Sequence, residues 1–477
     1  MEIDRNNIES IVQEILTELS RNKTSETCNT AGNSGCNTAD GVFNSMDEAI
    51  EAAYKAQQEL VQISIDKRKA IISAIREAVL ANVDAIAKMA VDETKLGKIE
   101  DKVQKNTLAA RKTPGVEDIE PRAYTGDSGF TLVERAPYGV IGAITPSTNP
   151  SETVICNSIG MIAAGNSVVF NCHPGAKKVT IFTIRIINKA IAEAGGPRNL
   201  LCAVGEPTLE TGKILMSHPK IRLLVVTGGP EIVRVAMNSG KKVIAAGPGN
   251  PPVVVDETAD IQQAAKDIVD GAAFDNNVLC IAEKEVFAVE SIADRLTEAM
   301  IKNGSFMLSN SQLEKLMPVI SAKNKDGVLM PNKKYVGRDV GEILAEIGIR
   351  VPADKRLAIA EVPGNHPLVY MEQLMPVLPI VRVKNVDEAI DEAFKAEQGN
   401  YHTAMMHSTN VRNLSRMARK MNTSIFVKNG PSYAGLGMLG EGYATFTIAS
   451  PTGEGLTSPF SFTRQRRCVL KDQFRIV

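Results

Sequence analysis

Hydrophobic residues along the chain change their spacing several times, and each change marks an element. Within the first twenty residues Ile8, Ile11, Val12, Ile15, Leu16 and Leu19 recur at helical spacing and share one stripe, with Asn6 as cap and Glu9 three residues on. The next stretch, "RNKTSETCNTAGNSGCNTADG", holds almost nothing apolar and predicts a disordered tether. Helical spacing returns from about residue 44 in "SMDEAIEAAYKAQQELVQIS" and "DKRKAIISAIREAVLANVDAIAKMAVDET". The alternation in "GDSGFTLVERAPYGVIGAIT" then predicts a hairpin leaving the domain.

Beyond that point apolar, β-branched runs alternate with helical segments. "YGVIGAIT", "SVVFNC", "LLCAV", "IRLLVVT" and "KKVIAA" read as strands, separated by "SETVICNSIGMIAAG", "KKVTIFTIRIINKAIAEAGG", "LETGKILMS" and "PEIVRVAMNSG" as helices. Continuous apolar strands alternating with helices predict a parallel, doubly wound α/β sheet, which binds ligands at the carboxyl ends of its strands. The second half repeats the same habit without internal sequence repeats.

Composition narrows the function. At 477 residues the chain is too long for one core and fits two or three domains. A net charge of −1 gives no electrostatic reason for nucleic acid or an anionic membrane as partner, and no apolar run reaches the roughly 20 residues of a membrane span. Seven cysteines without a CxxC, and five histidines without HxxxH or HExxH, leave a metal site unsupported and predict free thiols in a reducing cytoplasm.

Three loops could carry chemistry. Asn149, in "AITPSTNPSET", sits between a buried strand and a helix, where its amide could serve as an oxyanion donor or as a plain turn cap. Thr227, Gly228 and Gly229 stand between a strand and a helix opened by Pro230; they form a phosphate site or only a structural turn. Cys280, in "FDNNVLCIAEKE", is a core thiol or a nucleophile, with Asn276 and Asn277 supplying polar groups beside it.

The region "GPGNPPVVVDETADIQQAAKDIVDGAAFDNNVLCIAEKEVFA" resembles the active-site region of the aldehyde dehydrogenase superfamily, in its CoA-acylating branch of propionaldehyde and acetaldehyde dehydrogenases from bacterial microcompartments. The resemblance covers the body from about residue 44 onward, and the N-terminal helix with its tether is similar to the encapsulation peptides of that group. It implies that Asn149 is the oxyanion-hole amide and Cys280 the nucleophile. Cofactor contacts would come from Thr145, Pro146, Ser147, His173, Thr227, Gly228, Gly229 and Glu372, the last of these holding the nicotinamide ribose. The implied fold is two doubly wound parallel-sheet domains plus an oligomerisation hairpin and tail. Its divisions are a helix over 1–20, a linker over 21–43, a nucleotide-binding domain over 44–246 with a hairpin at about 120–138, a catalytic domain over 247–443, and an oligomerisation segment over 444–477.

Two departures from the superfamily pattern matter. Hydrolytic members place a glutamate 34 residues before the nucleophile; counting back from Cys280 lands on Ala246 in "AGPGNPP". General-base assistance is worth roughly 10²–10⁴-fold, so its loss leaves an acyl-cysteine to be cleared by a thiol rather than by water. In "NCHPGAKK", His173 and Ala176 replace a lysine and a glutamate that grip the adenosine ribose; without that glutamate a 2′-phosphate is less strongly rejected, so NAD is the expected coenzyme with NADP as the alternative. Lys177 and Lys178 could meet a phosphate or simply be solvated.

The resulting expectation is an enzyme in which Cys280, attacking as thiolate, converts a short aldehyde, propionaldehyde before acetaldehyde, to its acyl-CoA with NAD, and with CoA as co-substrate in ping-pong order. Expected partners are shell proteins through residues 1–20 and further copies of the chain in a homodimer or homotetramer, paired through "GFTLVERAP" and "TRQRRCVLKDQFRIV", with the protein in the cytoplasm inside a microcompartment. A hydrolytic, CoA-independent dehydrogenase and a non-catalytic assembly protein are the alternatives.

Overall fold

The computed structural model describes residues 40–324 and 327–477. The helix expected over 1–20 and the tether up to residue 39 lie outside the described residues.

Two parallel sheets organise the body. The first holds six strands in the order Val42–Phe43, Leu201–Val204, Ser167–Asn171, Val140–Ile144, Ile221–Thr227 and Lys242–Ala246. From Val140–Ile144 the chain winds outward first to one side and then to the other, so the strand order reverses beside Ile221–Thr227. That reversal opens a crevice at the carboxyl ends, where α/β sheets bind ligands. Its central strand, Val140–Ile144, is buried along its whole length, as helices packed on both faces require. The linker ends earlier than residue 43: Val42 and Phe43 pair with Ala203 and Val204 at the sheet edge. Two buried apolar residues after a polar run were too short a signal to be seen as a strand.

The second sheet has seven parallel strands, in the order Ser305–Met307, Leu357–Glu361, Val377–Val383, Glu285–Val289, Pro252–Val255, Thr403–His407 and Ile425–Lys428. The two expected sheet domains are thus present, joined between Ala246 and Pro252.

Hairpin strands Arg122–Gly126 and Gly129–Pro137 form a third, antiparallel sheet with Thr463–Lys471. Thr463 stands opposite Pro137 and Lys471 opposite Gly129. The two segments expected to pair across subunits therefore pair with each other, and Thr463–Lys471 forms an exposed edge. The C-terminal segment begins at 463 rather than 444. Ala444, Thr445, Thr447 and Phe462 are buried in the body, and the Thr447 hydroxyl donates to Asn157 of the first domain.

Candidate active site

The helix Ile261–Ala273 stops at Phe274, and the next three residues, Asp275, Asn276 and Asn277, are left-handed with φ of 48°, 52° and 66°. Three such residues in a row are strained, and Asp and Asn are the non-glycine types that accept this region most readily. Their side chains hold the turn. Asp275 accepts from the Lys98 N–H at 2.8 Å, from Lys102 Nζ at 3.1 Å and from Lys105 Nζ at 2.6 Å. Asn276 donates to the Gly337 carbonyl and to Asp339, and Asn277 to the carbonyls of Ala272 and Glu283. The polar groups expected to assist Cys280 are spent on the backbone that carries it.

Cys280 emerges from this turn half-buried. Burial, reinforced by the Glu372 carboxylate and opposed by the Lys284 ammonium, pushes its thiol up to about 12. In the free chain the surrounding protein disfavours the expected thiolate.

Glu372 lies near enough to Cys280 for its charge to act on the thiol. Its Oε1 accepts the Gly249 N–H at 3.3 Å, and its carboxyl is raised by burial. Gly249 also has no room for a side chain: a Cβ there would meet the Cys280 carbonyl oxygen at 2.7 Å and His402 Cγ at 3.0 Å. His402, absent from the sequence-derived candidates, is therefore a near neighbour of the nucleophile. It is fully buried, with Nδ1 2.9 Å from Thr403 Oγ1 and Nε2 without a partner. Burial and the nearby Lys284 hold its imidazole down to about 4, hence neutral.

Asn149 precedes the helix Pro150–Ala163 but does not cap it with its side chain. Its Oδ1 accepts from Lys105 Nζ at 2.6 Å, so the turn-cap reading fails and Nδ2 is left to act as a donor. Its in-chain acceptor is Thr148 Oγ1 at 3.3 Å.

The cofactor candidates divide. Thr145, Pro146 and Ser147 follow the strand Val140–Ile144, and Thr227, Gly228 and Gly229 end or follow Ile221–Thr227, placing both sets at the crevice. Thr145 Oγ1 is buried without a partner. Gly229 opens the helix Pro230–Met237 with no side-chain cap, and a Cβ there would meet nothing within 4 Å. An unpaired hydroxyl and an uncapped helix start with open space before it fit a dinucleotide phosphate. Gly228 is braced instead, its N–H donating to the Ala246 carbonyl at 3.3 Å. His173 is exposed, and its Nδ1 accepts from the N–H of Gly175 in its own turn. Lys177 is paired with Glu206, and the N–H groups of Lys178 and Val179 are taken by Glu93. This helix start already has its anion.

Ala246 is the last residue of Lys242–Ala246, in register with Thr227. Only a methyl group stands at the position expected to lack a carboxylate.

The two domains contribute opposite strand ends. Asn149 and the Thr227–Gly229 turn lie at carboxyl ends of the first sheet. Gly249, Cys280, Glu372 and His402 all precede strands of the second sheet and so lie at its amino ends. Sequence reasoning placed ligands at carboxyl ends, which holds for the first sheet only.

Known proteins share this fold. The aldehyde dehydrogenase family model matches residues 17–442. The acetylating acetaldehyde dehydrogenase of Salmonella typhimurium is 52% identical over 440 residues, covering 92% of this chain and 94% of that protein. Among solved structures, Rhodopseudomonas palustris propionaldehyde dehydrogenase with bound CoA and an acylated cysteine superposes with a TM-score of 0.89 at 52% identity, covering 91% of this chain and 98% of the other. A propionaldehyde dehydrogenase from the fucose utilisation microcompartment of Clostridium phytofermentans gives a TM-score of 0.89 at 50% identity, covering 92% and 100%.

Proposed function

The chain belongs to the aldehyde dehydrogenase family, and from that premise we propose which of its residues carry the reaction and in what roles. The enzyme is a CoA-acylating aldehyde dehydrogenase that uses a nicotinamide dinucleotide, NAD or NADP, and CoA. When bound, the dinucleotide supplies the hydride acceptor and CoA supplies the thiol that takes the acyl group.

Cys280 Sγ forms a bond to the aldehyde carbon. A thiol near 12 is not ionised beforehand, so its proton leaves as that bond forms, to the free Nε2 of His402. The carbonyl oxygen gains the negative charge, and Asn149 Nδ2 with the Cys280 N–H donates to it. After oxidation the acyl group is a thioester on Cys280. Thr145, Pro146, Ser147 and the Gly229 end of the Pro230–Met237 helix would hold the dinucleotide, with Glu372 at its nicotinamide ribose; His173, exposed at the next strand end, stands at the adenosine side.

The observation that carries acyl transfer to CoA is the methyl group of Ala246 at the end of its strand, where a water-activating carboxylate would be needed for hydrolysis. The test uses purified protein with the dinucleotide and propionaldehyde, with and without CoA, analysed for reduced cofactor, propionyl-CoA and propionate. Sustained turnover only with CoA, and at most one equivalent of reduced cofactor without it, is the expected result. Steady propionate release without CoA would overturn it.

Acetaldehyde and propionaldehyde relatives are equally similar to this chain; propionaldehyde remains our first substrate. Residues 1–20, whose apolar positions recur at helical spacing in the sequence, dock to a shell protein and place the enzyme in a microcompartment, the setting from which the fucose utilisation relative comes. The exposed edge Thr463–Lys471 joins copies into a dimer or tetramer.

A further inference from the structure

A buried charge cluster lies between the two halves of the site. Lys102 and Lys105 project from the helix Ile99–Lys112. Lys105 Nζ stands 2.6 Å from Asn149 Oδ1, 2.6 Å from Asp275 Oδ2 and 3.0 Å from Glu152 Oε1. Lys102 Nζ stands 3.1 Å from the same Asp275 oxygen and 3.3 Å from the Thr148 carbonyl. The side chains of both lysines, Asp275 and Glu152 are fully buried. Two lysines face two carboxylate side chains, so the cluster balances in formal charge. Lys105 Nζ donates to Asn149 Oδ1 and is ion-paired with Asp275 and Glu152.

We propose that Lys105 is a positioning residue for the oxyanion site: it fixes which face of the Asn149 amide meets the reacting oxygen, and ties that amide to the turn that delivers Cys280. The proposal rests on Asn149 being the oxyanion donor. A carboxamide is nearly symmetric in shape, so a half-turn of its plane exchanges donor for acceptor. An acceptor facing the developing oxyanion would repel it. Asn149 uses no side-chain cap and has only the 3.3 Å contact to Thr148 on its nitrogen, so the Lys105 ammonium on its oxygen decides the orientation. Withdrawing density from that oxygen also makes the N–H a stronger donor. The same ammonium grips Asp275, the first of the three left-handed residues. Amide and nucleophile thereby share one anchor.

The test is a double-mutant cycle on the full-length enzyme, assayed for CoA-dependent cofactor reduction: Lys105→Met, Asn149→Ala and the two together. We expect Lys105→Met to lower kcat roughly tenfold to a hundredfold, approaching the loss of one oxyanion donor, with KM for the dinucleotide unchanged. In the Asn149→Ala background the same substitution should change kcat by less than about twofold, because coupled residues are not additive. An equal loss in both backgrounds would mean that Lys105 acts through general structure, and the proposal fails. If Asn149→Ala alone costs nothing, the amide is not the donor; that reading fails first, and the positioning role falls with it. Should Lys105→Met not fold, the charge-balanced pair Lys105→Met with Glu152→Gln is put through the same cycle, against Glu152→Gln alone.

Discussion

Lys284 Nζ donates to both oxygens of Asn277, its side-chain amide and its main-chain carbonyl, the latter at 3.1 Å. A third bond goes to the Leu279 carbonyl at 3.2 Å. A buried ammonium thus closes the turn one residue short of Cys280, and its charge opposes that of Glu372 on the same thiol.

The first prediction follows from that opposition. Burial lowers Lys284 to about 8, so it carries its charge at pH 7. Lys284→Met removes a cation and should slow alkylation of Cys280 several-fold at pH 7 to 7.5, whereas Glu372→Gln removes an anion and should speed it. In the parent enzyme the rate should climb with pH without a plateau below about 10, since the thiol is held near 12. Peptide mass spectrometry after iodoacetamide treatment separates Cys280 from the exposed Cys468. A plateau near pH 7, or slower reaction in Glu372→Gln, would show that the electrostatics are misassigned.

Ala246→Glu returns a carboxylate to the end of the strand Lys242–Ala246. Acid released in the absence of CoA should rise by about a hundredfold, the lower end of the range for a general base. Product analysis under the conditions above checks it. Intact cofactor reduction with no increase in acid would refute the role assigned to that position.

Two buried histidines set a pH dependence of stability. Burial holds His407 at about 4, as burial and Lys284 do for His402, below the ordinary 6.5. Folding favours their neutral forms, so the stability they contribute is complete above about pH 6.5 and is lost as the pH falls toward 4. Each shift corresponds to roughly 3 kcal/mol. Glu283, pushed up to about 7 by burial, acts in the opposite sense: its contribution is present in acid and lost as the pH rises from 4.5 to 7. His407 lies at the carboxyl end of its strand, away from Cys280, so His407→Gln isolates one histidine. Urea midpoints should show the parent's advantage over this variant shrinking from pH 6.5 to pH 4.5. A difference that stays constant with pH would contradict the linkage.

Deleting residues 1–20 should leave CoA-dependent kcat unchanged and abolish co-purification with shell proteins. Undiminished encapsulation of the truncated enzyme would reject the docking role.

The sequence by itself determined whatever depends on a residue and its close neighbours along the chain. Apolar β-branched runs between helices can be buried only as parallel strands, so both sheets were legible, as were Asn149 and the Thr227–Gly229 turn at strand ends. Cys280 and the methyl group of Ala246 were legible through their place in a recognisable pattern. The tertiary structure decided what depends on groups brought together from distant segments. His402 has no motif around it and becomes a neighbour of Cys280 only because both crowd Gly249. Lys102 and Lys105 lie in a charge-rich stretch that carries no clear pattern in the sequence, yet it folds as the helix Ile99–Lys112 and both lysines are buried, because Asp275 and Glu152 arrive from other elements to pair with them. The state of the Cys280 thiol and the side of the second sheet that carries the site could not be read locally either. Burial, charge pairing and pKa are properties of a neighbourhood, and only folding assembles it.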